Sequence, residues 1–147
     1  MNMVYLLLYV IAAMIVGFVM VKTYQEKDRM RRYVIVLLAL AMICIVSYSV
    51  NFMTDNYNVM SAATSIMMSA QDFLLVSLFI YTTAFARISN KVTKVMTIAA
   101  FVIAIIDSVV FIANIFNEIA VKYSLVKCDG IYVLGYEGEL WFGIHAV

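Results

Sequence analysis

Eight of the ten Lys and Arg residues in this 147-residue chain fall in two short intervals, and long apolar stretches without Lys or Arg flank both. Lys22, Lys27, Arg29, Arg31 and Arg32 fill the first interval, and Arg87, Lys91 and Lys94 the second. Positive charge is retained on the cytoplasmic face of a membrane, so this pattern orients the chain as well as dividing it. It predicts a bilayer crossed four times from an N-terminus outside, with spans over 3–21, 33–53, 60–86 and 95–116. The expected location is the inner, cytoplasmic membrane of a cell, as a multi-pass protein.

The first span has 19 residues without a charge, enough at about 1.5 Å per residue to come close to a hydrocarbon core of about 30 Å. A cleavable signal peptide carries its positive charge before a shorter apolar core, whereas the charges here follow the run, so an uncleaved anchor is expected. Tyr5, Tyr9 and Tyr24 fall where interfacial aromatic belts form. No proline occurs, which removes the commonest cause of helix kinks.

A hydrophobic fraction of 66% lies well above the roughly 45–50% of soluble domains, in agreement with a membrane class. The net charge of +1 provides no field for nucleic acid, which is excluded as a partner. Glycine-rich phosphate loops, nucleophile elbows and metalloprotease motifs are absent, and the single histidine, His145, has no second ligand at metal spacing. The chain is therefore expected to be neither an enzyme by itself nor a holder of a metal or cofactor. Cys44 in a span and Cys128 in a loop lie too far apart for a disulfide framework.

Two carboxylates within spans, Asp72 and Asp107, most require explanation, because a charge at mid-bilayer costs about 2.5–3.5 kcal/mol on insertion scales and more in simulations. Such groups face a bundle interior, water or a partner. Ser61, Ser65, Ser69 and Asp72 recur every three or four residues along one helix side, and Asn114 follows Asp107 by two turns. Ser47, Asn51, Gln71 and Asn114 fall in the same outer half of the bilayer as the two carboxylates. One account makes Asp72, Asp107, Gln71, Asn51, Ser47 and Asn114 the lining of an outward-opening pocket for a small ligand or ion. A second makes the carboxylates protonated, interhelical packing contacts, and a third makes them a proton or ion relay. Ala13 with Gly17 and the serine series are spaced for close helix approach.

Residues 117–139 form an outward loop, in which Asp129-Gly130 between two β-prone stretches signals a small extracellular β-hairpin with a two-residue turn. Residues 140–147 open an apolar run too short to cross a bilayer, which reads as the start of a fifth span. The expected architecture is thus an all-α transmembrane helical bundle with four complete spans, the hairpin, and the beginning of a fifth.

In this order of features the chain resembles the N-terminal seven-helix membrane region of bacterial histidine kinases and diguanylate cyclases. The resemblance rests on Ser47-Tyr48-Ser49-Val50-Asn51-Phe52 closing the second span and the apolar-aromatic run from Leu78 to Arg87 closing the third. Asn114 or Asn117 near the end of the fourth, and Gly135 to Phe142 entering a fifth, extend it. It covers the first four of seven helices. Two features depart from the family: the third span has no proline, and Gly138-Glu139 stands where Gly-Pro is common, so no functional residue carries over. The resemblance implies a sensory input region coupling an extracellular or membrane cue to a cytoplasmic diguanylate cyclase or histidine kinase domain absent from this chain. Expected partners are the lipid bilayer, a small molecule from outside, the remaining C-terminal helices and output domain, and, as a permitted assembly, a second copy. A fragment of a transporter or channel subunit is the main alternative, in which the two Asp residues serve as midplane ion sites. A membrane subunit contributing only packing surface is the third.

Overall fold

Residues 3–117, 121–128 and 131–138 are described by the computed structural model of the chain. Four long helices, α1 (Met3–Gln25), α2 (Arg31–Met53), α3 (Tyr57–Phe85) and α4 (Lys91–Asn117), account for nearly all of the first region. All four are long and apolar enough to cross a membrane, the architecture of a multi-pass membrane protein. Only a helix or a closed barrel can satisfy its backbone inside a bilayer, so long apolar runs without proline become helices.

Most helix ends extend past the apolar spans, by up to four residues in α1 and α4. Hydropathy marks the hydrocarbon edge, whereas a helix runs on until something caps it. For α4 the cap is Asn90, whose Oδ1 accepts from the Thr93 amide and the Thr93 hydroxyl, both at 2.7 Å. Asn56 opens α3 in the same way, accepting from the Asn58 amide at 3.0 Å. Between α1 and α2 the Arg31 guanidinium donates to the carbonyls of Tyr24 at 3.3 Å and Glu26 at 3.0 Å. A cation is thereby fixed at the negative end of the α1 dipole.

One end falls short of its apolar run. α3 stops at Phe85 because Arg87 adopts a left-handed backbone, φ 53°. The amides of Arg87 and Ile88 then donate back to the carbonyls of Ala84 and Thr83, at 3.2 and 3.0 Å, which is the Schellman closure. Glycine normally holds this position because an L side chain there costs about 1 kcal/mol or more. Arg87→Gly is therefore expected to stabilise the protein by about 1 kcal/mol in a denaturant titration in mixed micelles. A loss of stability would mean that the arginine side chain supports the turn by contacts worth more than its backbone strain.

α3 is the central helix, packed against α2 and against α4, and α1 packs on α2. Burial follows this order: α3 buries eight residues, including Met60, Ala63, Met67, Ala70 and Val76, while the apolar window of α1 has none buried. Where α1 meets α2, Tyr5, Tyr9, Tyr48 and Phe52 form an aromatic cluster with centroids 5.2–6.1 Å apart. Farther along, Gly17 faces Met42, whose Cε would lie 3.5 Å from an added Cβ, an ordinary contact distance. The α3–α4 seam holds an edge-to-face pair, Phe73 and Phe101, at 5.8 Å. Cys44 is a free thiol donating to the Met67 carbonyl at 4.0 Å across α2 and α3.

Beyond α4, β1 (Val121–Cys128) pairs antiparallel with β2 (Ile131–Gly138) in a two-stranded sheet. The register runs from Val121 opposite Gly138 to Cys128 opposite Ile131, with two residues between the last pair. Those two, Asp129 and Gly130, and the run at 140–147 read as a fifth span lie outside the described residues.

Candidate functional site

The polar residues of the spans gather on the faces where helices meet. On α4 the buried positions Ala104, Asp107, Ser108, Phe111 and Asn114 recur at three- and four-residue intervals, so they form one stripe. On α3, Ser61, Thr64 and Ser65 are buried, the last two completely. On α2, Ser47 is buried and Asn51, one turn on, is half-buried. Ser47 and Asn51 lie near the C-terminal end of α2, Ser61 to Ser65 near the N-terminal end of α3, and Asp107 to Asn114 toward the C-terminal end of α4. Since successive helices alternate in direction, these segments share one end of the bundle, opposite the two basic turns.

Of the six residues singled out from the sequence, Ser47, Asp107 and Asn114 are buried, and Asn51 and Asp72 are half-buried. Gln71 is exposed and stands apart from this layer. Its neighbour Asp72 belongs to the serine side of α3, and a step of one residue turns about 100° around the helix. Asn51 is brought to α3 by a hydrogen bond, its Nδ2 donating to Thr64 Oγ1 at 3.1 Å. Asp72, Asp107 and Asn114 are each engaged with a neighbour. Thr64 and Ser108 also belong to the layer although the sequence reading passed over them. The signal was present in their spacing, Thr64 three residues after Ser61 and Ser108 one turn after Ala104.

Three buried polar atoms of this layer, Asn51 Oδ1, Ser65 Oγ and Ser108 Oγ, have no hydrogen-bond partner among the described residues. Other hydroxyls nearby satisfy themselves locally: Ser49 donates to the Ile45 carbonyl at 2.7 Å and Ser69 to that of Ser65 at 3.0 Å. A buried polar atom left without a partner costs roughly 1–3 kcal/mol, a cost that a polar guest reaching it would offset. No group of three or more His, Cys, Asp or Glu able to hold a metal ion occurs among the described residues.

A second feature lies at the other end. A cavity of about 970 Å³ opens between the turn joining α1 to α2 and the turn joining α3 to α4, lined in part by Arg29, Tyr33, Phe85, Arg87, Ser89 and Lys94. None of the six residues expected to line a pocket borders it. Its basic residues converge because both turns emerge at the same end of the bundle. No protein-family model, curated protein or solved structure matches the chain.

Proposed function

We propose that the chain is the membrane-embedded sensory input region of a bacterial signal-transduction protein, coupling a cue from outside to a cytoplasmic cyclase or kinase domain. The supporting observation is the set of polar groups at one end of the bundle, where Asn51 Oδ1, Ser65 Oγ and Ser108 Oγ have no partner among the described residues and Asp107 is buried. A bundle held together only by packing gains nothing from leaving such atoms unsatisfied. In this reading the N-terminus and the β1–β2 sheet face outside, the basic turns face the cytoplasm, and the polar layer receives a small polar ligand or ion from the outer side. α2, α3 and α4 all contribute to the layer, so its occupancy changes how they pack, and each ends at a basic turn on the output side.

The test uses the full-length protein, with the activity of its output domain followed under conditions that raise it. D107N and D72N keep side-chain volume and hydrogen-bonding capacity while removing the titratable carboxyl. Lost response at an unchanged melting temperature is the expected result. Retained response with a lowered melting temperature overturns the sensory role and leaves the layer as interhelical packing. Reporters fused after Arg32 or Asn90 are expected to behave as cytoplasmic, and those after Asn56 or Lys127 as external.

A further inference from the structure

The cavity at the basic end has no part in the reading above, and its chemistry is specific. Arg29, Arg87 and Lys94 border it together with one acid, Asp28, which leaves a net charge of +2 (three cations less one anion). Among the described residues none of the three cations forms an ion pair. Arg31, in the same turn, is by contrast committed to the carbonyls that close α1. The hydroxyls of Thr83, Thr93 and Thr97 also border the cavity, but each donates to its own helix or cap, at 2.9, 2.7 and 2.8 Å. The side chains left to donate into the space are the three cations, Ser89 and the hydroxyl of Tyr33.

The remaining walls are apolar and aromatic, with Tyr33, Ile80, Phe85 and Ile98 among them. These belong to the last two or so turns of α2, α3 and α4 at this end of the bundle, where the helices pass from hydrocarbon to headgroups. Cations above an apolar wall at that level match an amphiphile whose charge is negative and whose body is hydrocarbon. Inorganic phosphate has no use for such a wall. We propose that this cavity binds the phosphate-bearing headgroup of an anionic phospholipid, with Arg29, Arg87 and Lys94 on the phosphate and the first acyl carbons against Tyr33 and Phe85. Basic recesses between membrane helices are suited to such headgroups because the phosphate is met by several cations at once.

The test compares two double variants that each remove two charges from the same end of the protein: R29Q/K94Q inside the cavity, and K22Q/R32Q, neither of which lines it. Binding of phosphatidylglycerol and phosphatidylcholine to the 147-residue chain in neutral detergent is read by native mass spectrometry, with melting followed by circular dichroism. One phosphatidylglycerol retained in preference to phosphatidylcholine is expected, weakened roughly thirtyfold in R29Q/K94Q and unchanged in K22Q/R32Q. The charge-conserving R29K/K94R is expected to retain binding, which separates loss of the site from loss of the fold. Equal binding of the two lipids overturns the proposal, as does an equal loss in both doubles, which would mean diffuse attraction to the whole basic end. Displacement of the lipid by millimolar inorganic phosphate also overturns it, in favour of a site for free phosphate.

Discussion

Phe111→Ala should lower the stability of the bundle by about 3 kcal/mol or more, the loss typical of removing a buried aromatic ring without collapse of the space it leaves. Phe111 is only 1% exposed and lies on the buried stripe of α4, midway between Ser108 and Asn114. In a bilayer the transfer of a ring out of water contributes little, because lipid is as apolar as the protein interior; what is lost is dispersion contact with close-packed neighbours. The stripe around it is polar, so a hole at Phe111 adjoins Asp107, Ser108 and Asn114, and these groups lose the apolar frame that fixes their rotamers. Unfolding in mixed micelles, followed by circular dichroism against the mole fraction of a denaturing detergent, gives the change. Phe116→Ala is the control: that ring is 79% exposed near the end of the same helix, and its removal should change stability by less than about 0.5 kcal/mol. Equal losses in the two variants would show that α4 does not bury the face assigned to it.

The four helices were legible in the sequence because the bilayer imposes a coarse rule: each crossing needs a long apolar run, and the runs are separated by charge. Their ends were not, because an end depends on a single cap. Neither the left-handed backbone of Arg87 nor the double acceptance by Asn90 leaves a trace in hydropathy. The polar layer was legible where spacing revealed it, as in the serine series of α3 and the pair Asp107 and Asn114. Gln71 was placed with this layer by its depth, which says nothing of helix face, and its side chain is exposed. The Asn51 to Thr64 bond joins two helices across a turn whose geometry no residue pattern specifies. The basic cavity lay beyond reach for the same reason, since Arg29 and Lys94 are brought together only by the way α2, α3 and α4 pack.

The second large effect is expected at the small-residue face of α3, by adding volume instead of removing it. Ser65 is fully buried on the helix that packs against both α2 and α4, and its hydroxyl has no partner among the described residues. Ser65→Leu puts a branched isobutyl group where a hydroxymethyl group now fits, and overpacking of this kind costs about 1–3 kcal/mol, or more where backbones cannot separate. Here separation is opposed on both sides of α3: by the Asn51 to Thr64 bond toward α2, and by the Phe73 and Phe101 pair toward α4. A loss of about 2–3 kcal/mol is therefore expected in the same detergent titration. Ser65→Ala separates the contributions, because it removes the unpartnered hydroxyl without filling the space. If the hydroxyl serves only to meet an incoming polar guest, as in the sensory role proposed above, the alanine variant should be as stable as the parent, or slightly more so. A destabilised alanine variant would instead mean that the hydroxyl is satisfied within the bundle, and the layer would then be a packing seam that requires no guest.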